Sequence, residues 1–260
     1  MKNLKNVILL LFSILVLSCS KDDENPVIQE YFPTKIMTSV PANPNVNGST
    51  DIEYDNKNRI SKISYINDAQ TYEFDLTYNS NDLIEKVVSK KTTGSTSSEL
   101  TFNCNYTDTI LTQIQLSNSI TSSTIDFIYD SANRKYVIQD SSSGTEYFIF
   151  DTNGNLVEFN LVGIQLALTY SNNKGIYNGF KNSLPLLFAS MINSSEITFY
   201  YSYFFANKDI TNMTAYSSNH FTSTSTVNDN NSISGTLLKN VDTGETVLTS
   251  NIQYELRTIN

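Results

Sequence analysis

The stretch Thr71-Tyr72-Glu73-Phe74-Asp75-Leu76-Thr77-Tyr78-Asn79 decides the fold class. Rings and aliphatic chains stand at every second position, with polar or charged side chains between them. A β-strand sends successive side chains to opposite faces, so a period of two marks a strand with one buried and one wet face. Ile164, Leu166, Leu168 and Tyr170 repeat the pattern, as do Ile197, Phe199, Tyr201, Tyr203 and Phe205. No long 3.6-residue period occurs. Leu184 to Met191 is the one apolar stretch that reads as a helical turn, suited to plugging an open end of a sheet.

The residues after each strand form a repeat. An aromatic residue closes the strand, Asp, Asn or Ser follows, and a return strand begins a few residues later. Tyr54-Asp55-Asn56-Lys57-Asn58-Arg59 and Tyr129-Asp130-Ser131-Ala132-Asn133-Arg134 match at identical spacing. Phe150-Asp151-Thr152-Asn153-Gly154-Asn155-Leu156 is a third copy, and Tyr78-Asn79, Tyr106-Thr107-Asp108 and Tyr170-Ser171 are looser ones. Later turns are expected near Asn207-Lys208-Asp209, Asn228 to Asn231 and Asp242-Thr243-Gly244. Asx side chains accept hydrogen bonds from the amides ahead of them, and Asn and Gly tolerate positive φ, so turn chemistry alone accounts for the repeat.

A single hairpin cannot bury its aromatic face, so consecutive hairpins must pair edge to edge. A long sheet built this way twists and keeps two open edges, and curling relieves both. The expected fold is all-β: an antiparallel hairpin meander of roughly fourteen to eighteen strands, curling into a large barrel or half-barrel. A lipid-spanning barrel needs apolar side chains outward, whereas the polar face here carries Glu53, Glu73, Asp75, Asp126, Gln253 and Glu255.

Ahead of the strands, Lys2 and Lys5 precede an apolar run from Val7 to Leu17, interrupted only by Ser13. That run is shorter than the ~20 residues a spanning helix needs. It ends in Val16-Leu17-Ser18-Cys19, which resembles a bacterial lipoprotein signal. The resemblance implies removal of residues 1–18, acylation of Cys19 and anchorage in a membrane through lipid. Ser20-Lys21-Asp22-Asp23-Glu24 resembles the surface-export signal of Bacteroidota lipoproteins, the alternative being a solvated linker with a chance cluster of charge. The location implied is the outer membrane, with display at the cell surface. Four of the five prolines fall within the first 44 residues, and the segment after Cys19 is polar and aperiodic. The chain thus divides into a signal peptide (1–18), a lipidated N-terminus and flexible tether (19–33) and one all-β domain (34–260).

Lys and Arg number 17 against 26 Asp and Glu, a formal charge of −9. Loss of the signal peptide removes two lysines and no acid. This balance speaks against nucleic acid or a bare anionic membrane surface as a partner. With Cys19 committed to lipid, Cys104 is the last thiol, so no intramolecular disulfide can form. It sits on the apolar side of the alternation Leu100 to Tyr106, which reads as a buried structural cysteine.

The hairpins resemble YD repeats, the tyrosine–aspartate units of Rhs-type β-shells. More closely, the chain from about Thr34 to Arg257 resembles a family of Bacteroidota lipoproteins of unknown function with a porin-like β fold. That resemblance rests on the hairpin from Tyr54-Asp55 to Ile60, on Gly179-Phe180-Lys181-Asn182-Ser183-Leu184-Pro185-Leu186-Leu187, and on Ile252-Gln253-Tyr254-Glu255-Leu256. It brings no catalytic residues. The sequence departs from the pattern at Val227-Asn228-Asp229, where the aromatic is missing, which leaves the pairing of the last hairpins open.

Chemistry-bearing constellations are sparse. His220 is the sole histidine, and Asn219 and Phe221 beside it form no motif, so a surface-loop histidine is expected. Zinc lacks ligands. Asp151 to Asn155 and Asp229-Asn230-Asn231 gather oxygens, but the distal glutamate of a calcium loop is replaced by Val162, and hairpin turns explain them. No catalytic, cofactor or metal residue is assigned. Asp108-Thr109-Ile110 and Asp130-Ser131-Ala132 resemble the acceptor motif of Bacteroidota O-glycosylation, making Thr109 and Ser131 candidate sites.

The function expected is that of a non-enzymatic, lipid-anchored envelope protein offering loops or an aromatic surface to an extracellular glycan or protein. A glycan-binding accessory protein or hydrolase using some of the 16 tyrosines as platforms is the rival, weakened by the absence of Trp. A lipid or small-molecule carrier would need an empty apolar cavity.

Overall fold

The alternation becomes sixteen antiparallel strands in a computed structural model that describes residues 28–139, 146–161, 163–177, 179–180, 182–193, 205–215 and 219–259. The first eight are β1 (Ile28–Ser39), β2 (Gly48–Tyr54), β3 (Ile60–Ile66), β4 (Gln70–Tyr78), β5 (Ile84–Thr93), β6 (Thr96–Thr107), β7 (Ile110–Ser117) and β8 (Ser122–Asp130). They continue as β9 (Lys135–Ile138), β10 (Tyr147–Phe150), β11 (Leu156–Leu161), β12 (Ile164–Lys174), β13 (Lys208–Ala215), β14 (Asn219–Val227), β15 (Ile233–Asn240) and β16 (Thr246–Ile259). Each strand pairs with its neighbours in sequence, and β16 returns to β1, closing the barrel. Closure runs the full length of β1, from Ile28 opposite Ile259 to Ser39 opposite Thr249.

β1 starts at Ile28, six residues ahead of the domain boundary expected at Thr34. Pro33 hid this start. The half of β1 up to Pro33 pairs only with β16, whereas Lys35 to Thr38 pairs with both β16 and β2. A residue without an N–H is tolerated where one flank has no ladder, and a bulge between Pro33 and Lys35 resets the register.

Sixteen strands enclose more space than wall side chains alone fill. Here the inner face is apolar, with Ile36, Ile63, Phe74, Val87, Phe102 and Phe148 wholly buried. The remaining space receives α1 (Leu184–Asn193), which lies against β5 and β6. Leu184, Leu186, Leu187, Phe188 and Ala189 are all at most 2% exposed, as an all-round apolar helix must be. Phe188 meets Phe127, Phe148 and Phe102 edge-on, at centroid distances of 5.7, 6.3 and 6.5 Å. The apolar stretch of the sequence is therefore a plug.

The outer face is a lattice of polar pairs: Lys62 Nζ to Glu73 at 2.6 Å, Lys35 Nζ to Asp51 at 3.1 Å, and Gln113 Nε2 to Asp126 at 2.8 Å. A lipid-spanning barrel wears its apolar side chains outside and keeps a polar lumen. This wall has the opposite polarity.

Other expectations resolve as follows. Cys104 is buried beside Phe102, and burial pushes its thiol up to about 12. Val227 faces Ile233 in the β14–β15 hairpin, after a register shift between Thr226 and Val227, so the late strands pair without the missing aromatic. Lys208 and Asp209 begin β13 and are not turn residues, because Lys208 bridges to Lys174 on β12 and its amide is held by Asn155. His220 is exposed but lies on β14, opposite Thr214, and not in a loop. Of the aromatic stretch Ile197 to Phe205, only Phe205 is among the described residues, and it is buried.

Candidate functional site

One end of the barrel carries the turns that follow the even-numbered strands, together with both ends of the described chain. Four of these turns share one design. In the turns beginning at Asp55, Asn79, Asp151 and Asn228, the side-chain Oδ1 accepts the amide of the residue four positions on, at 2.9, 3.1, 2.9 and 2.9 Å. The carbonyl of that later residue takes the Asx amide at 2.8 to 3.0 Å. The third residue on, Asn58, Asp82, Gly154 or Asn231, has positive φ. Asx oxygens and αL-tolerant residues are what such a turn requires.

Asp130 departs from this design despite matching Asp55 in sequence spacing. Its Oδ1 takes the amides of Ala132 and Asn133, and positive φ moves to Arg134. The reason is register. Asp130 itself pairs with Lys135, leaving a four-residue loop, whereas Tyr54 pairs with Ile60 across five.

Tyrosines lace the same end. Tyr54, Tyr78, Tyr106 and Tyr254 donate their hydroxyls to the carbonyl oxygens of Pro33, Ile60, Ile84 and Ile233 at 2.7, 2.7, 2.8 and 2.9 Å. Tyr170 makes the same bond to Leu156. Each bond joins the end of an even strand to the odd strand before it. Burial pushes all five phenols up, which keeps them neutral donors.

α1 fills the β5–β6 side of this end and leaves the β16–β1–β2–β3 side open as a cavity of about 880 Å³. Its rings include Tyr31, Phe32, Tyr54, Tyr78, Phe180 and Tyr254, and its polar groups include Glu30, Asn56, Lys57, Asp82, Lys174 and Asn230. Arg59 organises one wall. Its guanidinium reaches Asp55 at 2.6 Å and Asp82 at 2.5 Å, tying two turns together, and lies 4.3 Å from the centroid of Tyr78. Lys57 adds a longer contact to Asp82 at 3.4 Å. At the floor stands Tyr177, 2% exposed, whose hydroxyl has no hydrogen-bond partner among the described residues. Burial, then the neighbouring Tyr254 phenol, push its pKa up.

Asp82 is committed to Arg59 and Lys57, and the described residues hold no cluster of three metal-ligating side chains. Aromatic faces, amides and charges of both signs converge on one concavity in a barrel mouth, a usual place for small-ligand sites.

The structure is similar to these two solved structures, among others. One is a porin-like protein from Bacteroides uniformis ATCC 8492, at 12% identity and a TM-score of 0.47, covering 89% of this chain and 98% of that one. The other is a porin-like protein from Bacteroides vulgatus ATCC 8482, at 8% identity and a TM-score of 0.40, covering 87% and 99%. No protein-family model and no curated protein matches the sequence.

Among the site residues expected from sequence, Cys19 and Ser20 to Glu24 lie outside the described residues. Thr109 and Ser131 are exposed in the β6–β7 and β8–β9 turns, at the same end as the cavity. The cavity itself was not anticipated. Tyr54 and Tyr78 were visible as strand closers, but Tyr177 and Phe180 belong to no period, and nothing in the sequence pairs Arg59 with Asp82.

Proposed function

We propose that this chain is a lipid-anchored envelope protein, tethered through Cys19 and displayed at the outer surface, whose barrel is a non-enzymatic binding module with the turn-end cavity as its ligand site. The observation that carries this reading is the polarity of the wall. An apolar, plugged interior behind a charged exterior gives the barrel no means of sitting in lipid, so the signal-like N-terminus and Cys19 supply the attachment. The acidic run Ser20 to Glu24 supports outward display, and the chain fits the Bacteroidota lipoprotein family it resembles in sequence. Thr109 and Ser131 are accessible enough to accept glycans.

The tether also joins the module at its cavity end. Ile28 is on the cavity rim side of β1, and the nine residues from Cys19 span at most about 30 Å when extended. The cavity therefore lies at the tethered end of the barrel, within reach of the anchoring leaflet.

The test is metabolic labelling with an alkyne fatty acid, followed by proteinase K treatment of intact cells. Label on the native chain, absent from Cys19→Ala, and digestion without lysis are expected. An unlabelled chain, or one protected until lysis, overturns the anchoring and display respectively.

A further inference from the structure

Resting on the reading of the cavity as a ligand site, we propose that its ligand is a neutral oligosaccharide. The chemistry of the lining selects this class. Rings offer faces to the apolar side of a sugar, and Asn56 and Asn230 offer paired donors and acceptors to its hydroxyls. An acyl chain would leave those amides and the charges of Glu30 and Lys174 facing hydrocarbon. A phosphate group would look to Arg59, whose guanidinium is already held between Asp55 and Asp82. At about 880 Å³ the space exceeds what one small metabolite fills and lies within the usual range of ligand pockets.

Tyr177 is the second, independent observation. A buried hydroxyl without a partner is uncommon, because desolvation without compensation destabilises the fold. Its neighbours Tyr54 and Tyr254 donate their hydroxyls to backbone carbonyls, and neither makes a bond to the Tyr177 hydroxyl. A sugar hydroxyl seated on the cavity floor, or a water that such a ligand holds there, supplies the missing acceptor. Tyr31, about half exposed on the rim, serves as the outer platform.

Free glycans and glycolipid headgroups present the same chemistry. The cavity lies at the tethered end of the barrel, within reach of both, so the test has two arms. The full chain is screened against an array of defined oligosaccharides on soluble linkers, and against phosphatidylethanolamine vesicles with and without lipopolysaccharide. Binding on the array supports a free glycan. Binding only to the lipopolysaccharide vesicles supports a lipid-linked one. Tyr177→Phe is expected to weaken the binding roughly fivefold, as loss of one ligand hydrogen bond does, while leaving thermal stability equal or higher. Tyr31→Ala is expected to weaken it as well with the fold intact. Silence in both arms overturns the proposal, as does binding that neither variant alters. A hit in a parallel peptide library with no glycan binding overturns the ligand class while leaving the site. Failure of acyl labelling at Cys19 bears on the anchor and does not change these outcomes.

Discussion

The hydroxyl of Tyr78 donates to the carbonyl oxygen of Ile60 at 2.7 Å, and Ile60 is the first strand residue after the Asp55 turn. The same relationship recurs between Tyr106 and Ile84, the first residue after the Asn79 turn, and between Tyr254 and Ile233, the first after the Asn228 turn. Strand closer, Asx turn and return strand are thus one mechanical unit, in which the turn fixes where the return strand begins and the next tyrosine clamps that point. Tyr78→Phe keeps the ring and its contact with Arg59 and removes only the clamp. It should cost about 1 kcal/mol, read as a lower denaturation midpoint with an unchanged slope.

The carboxylate versions of the turn carry a pH signature that the amide versions lack. Burial tends to raise the Asp55 carboxyl, but hydrogen bonds from the Arg59 side chain and from the Arg59 and Lys57 amides outweigh it and hold the group below the usual carboxylate range. Asp151 is depressed likewise, its burial outweighed by hydrogen bonds from the Asn155 side chain and the Asn155 and Asn153 amides. A depressed folded-state pKa means the unfolded chain binds protons more readily. The contribution is therefore complete above the unfolded value near 4 and is lost as pH falls through the folded values. Asn79 and Asn228 show that an amide builds the same turn. Asp55→Asn with Asp151→Asn should flatten the acid limb of stability between about pH 5 and pH 2, measured by urea unfolding, at a modest cost at neutral pH.

How far the sequence disclosed this molecule follows from the range of its signals. Strand alternation and Asx turns are local, and Tyr72 to Tyr78 with Asn79 contains all that is needed to place β4 and the turn after it. The apolar character of Leu184 to Met191 gave the plug because no outer position accepts such a helix. What was hidden depends on closure. Pro33 reads as a strand breaker until β16 is seen to pair on one side of it, and Asp130 reads as a copy of Asp55 until register shortens its loop. The cavity is the extreme case, since it joins residues from both ends of the chain to the segment following β12.

Asn155 shows how a turn residue can act beyond its turn. It is wholly buried, donates its Nδ2 to Asp151 at 2.8 Å, and its Oδ1 accepts the amides of Asn207 and Lys208 at 2.8 and 3.1 Å. It thereby fixes where β13 starts, after the long connection that contains α1. Asn155→Ala leaves two backbone donors without an acceptor and should cost about 2 to 4 kcal/mol. Hydrogen exchange should show the loss concentrated at Asn207 to Ile210, ahead of the rest of the wall.

Phe188 tests whether the plug stabilises the barrel or merely occupies it. Its ring is 1% exposed and packs edge-on to Phe102, Phe127 and Phe148, residues of three different strands, so it cross-links the wall from within. Phe188→Ala removes a ring from a closed interior whose strands are tied by their ladders and cannot collapse inward. The cost should approach the upper part of the 3 to 5 kcal/mol range for large-to-small core changes. Phe188→Leu, which retains most of the apolar volume, should cost less than half as much. Calorimetry of the two variants separates the cases: equal, small effects would mean that the strands hold the barrel without the helix, whereas a large Ala effect with partial recovery in Leu makes α1 part of the core.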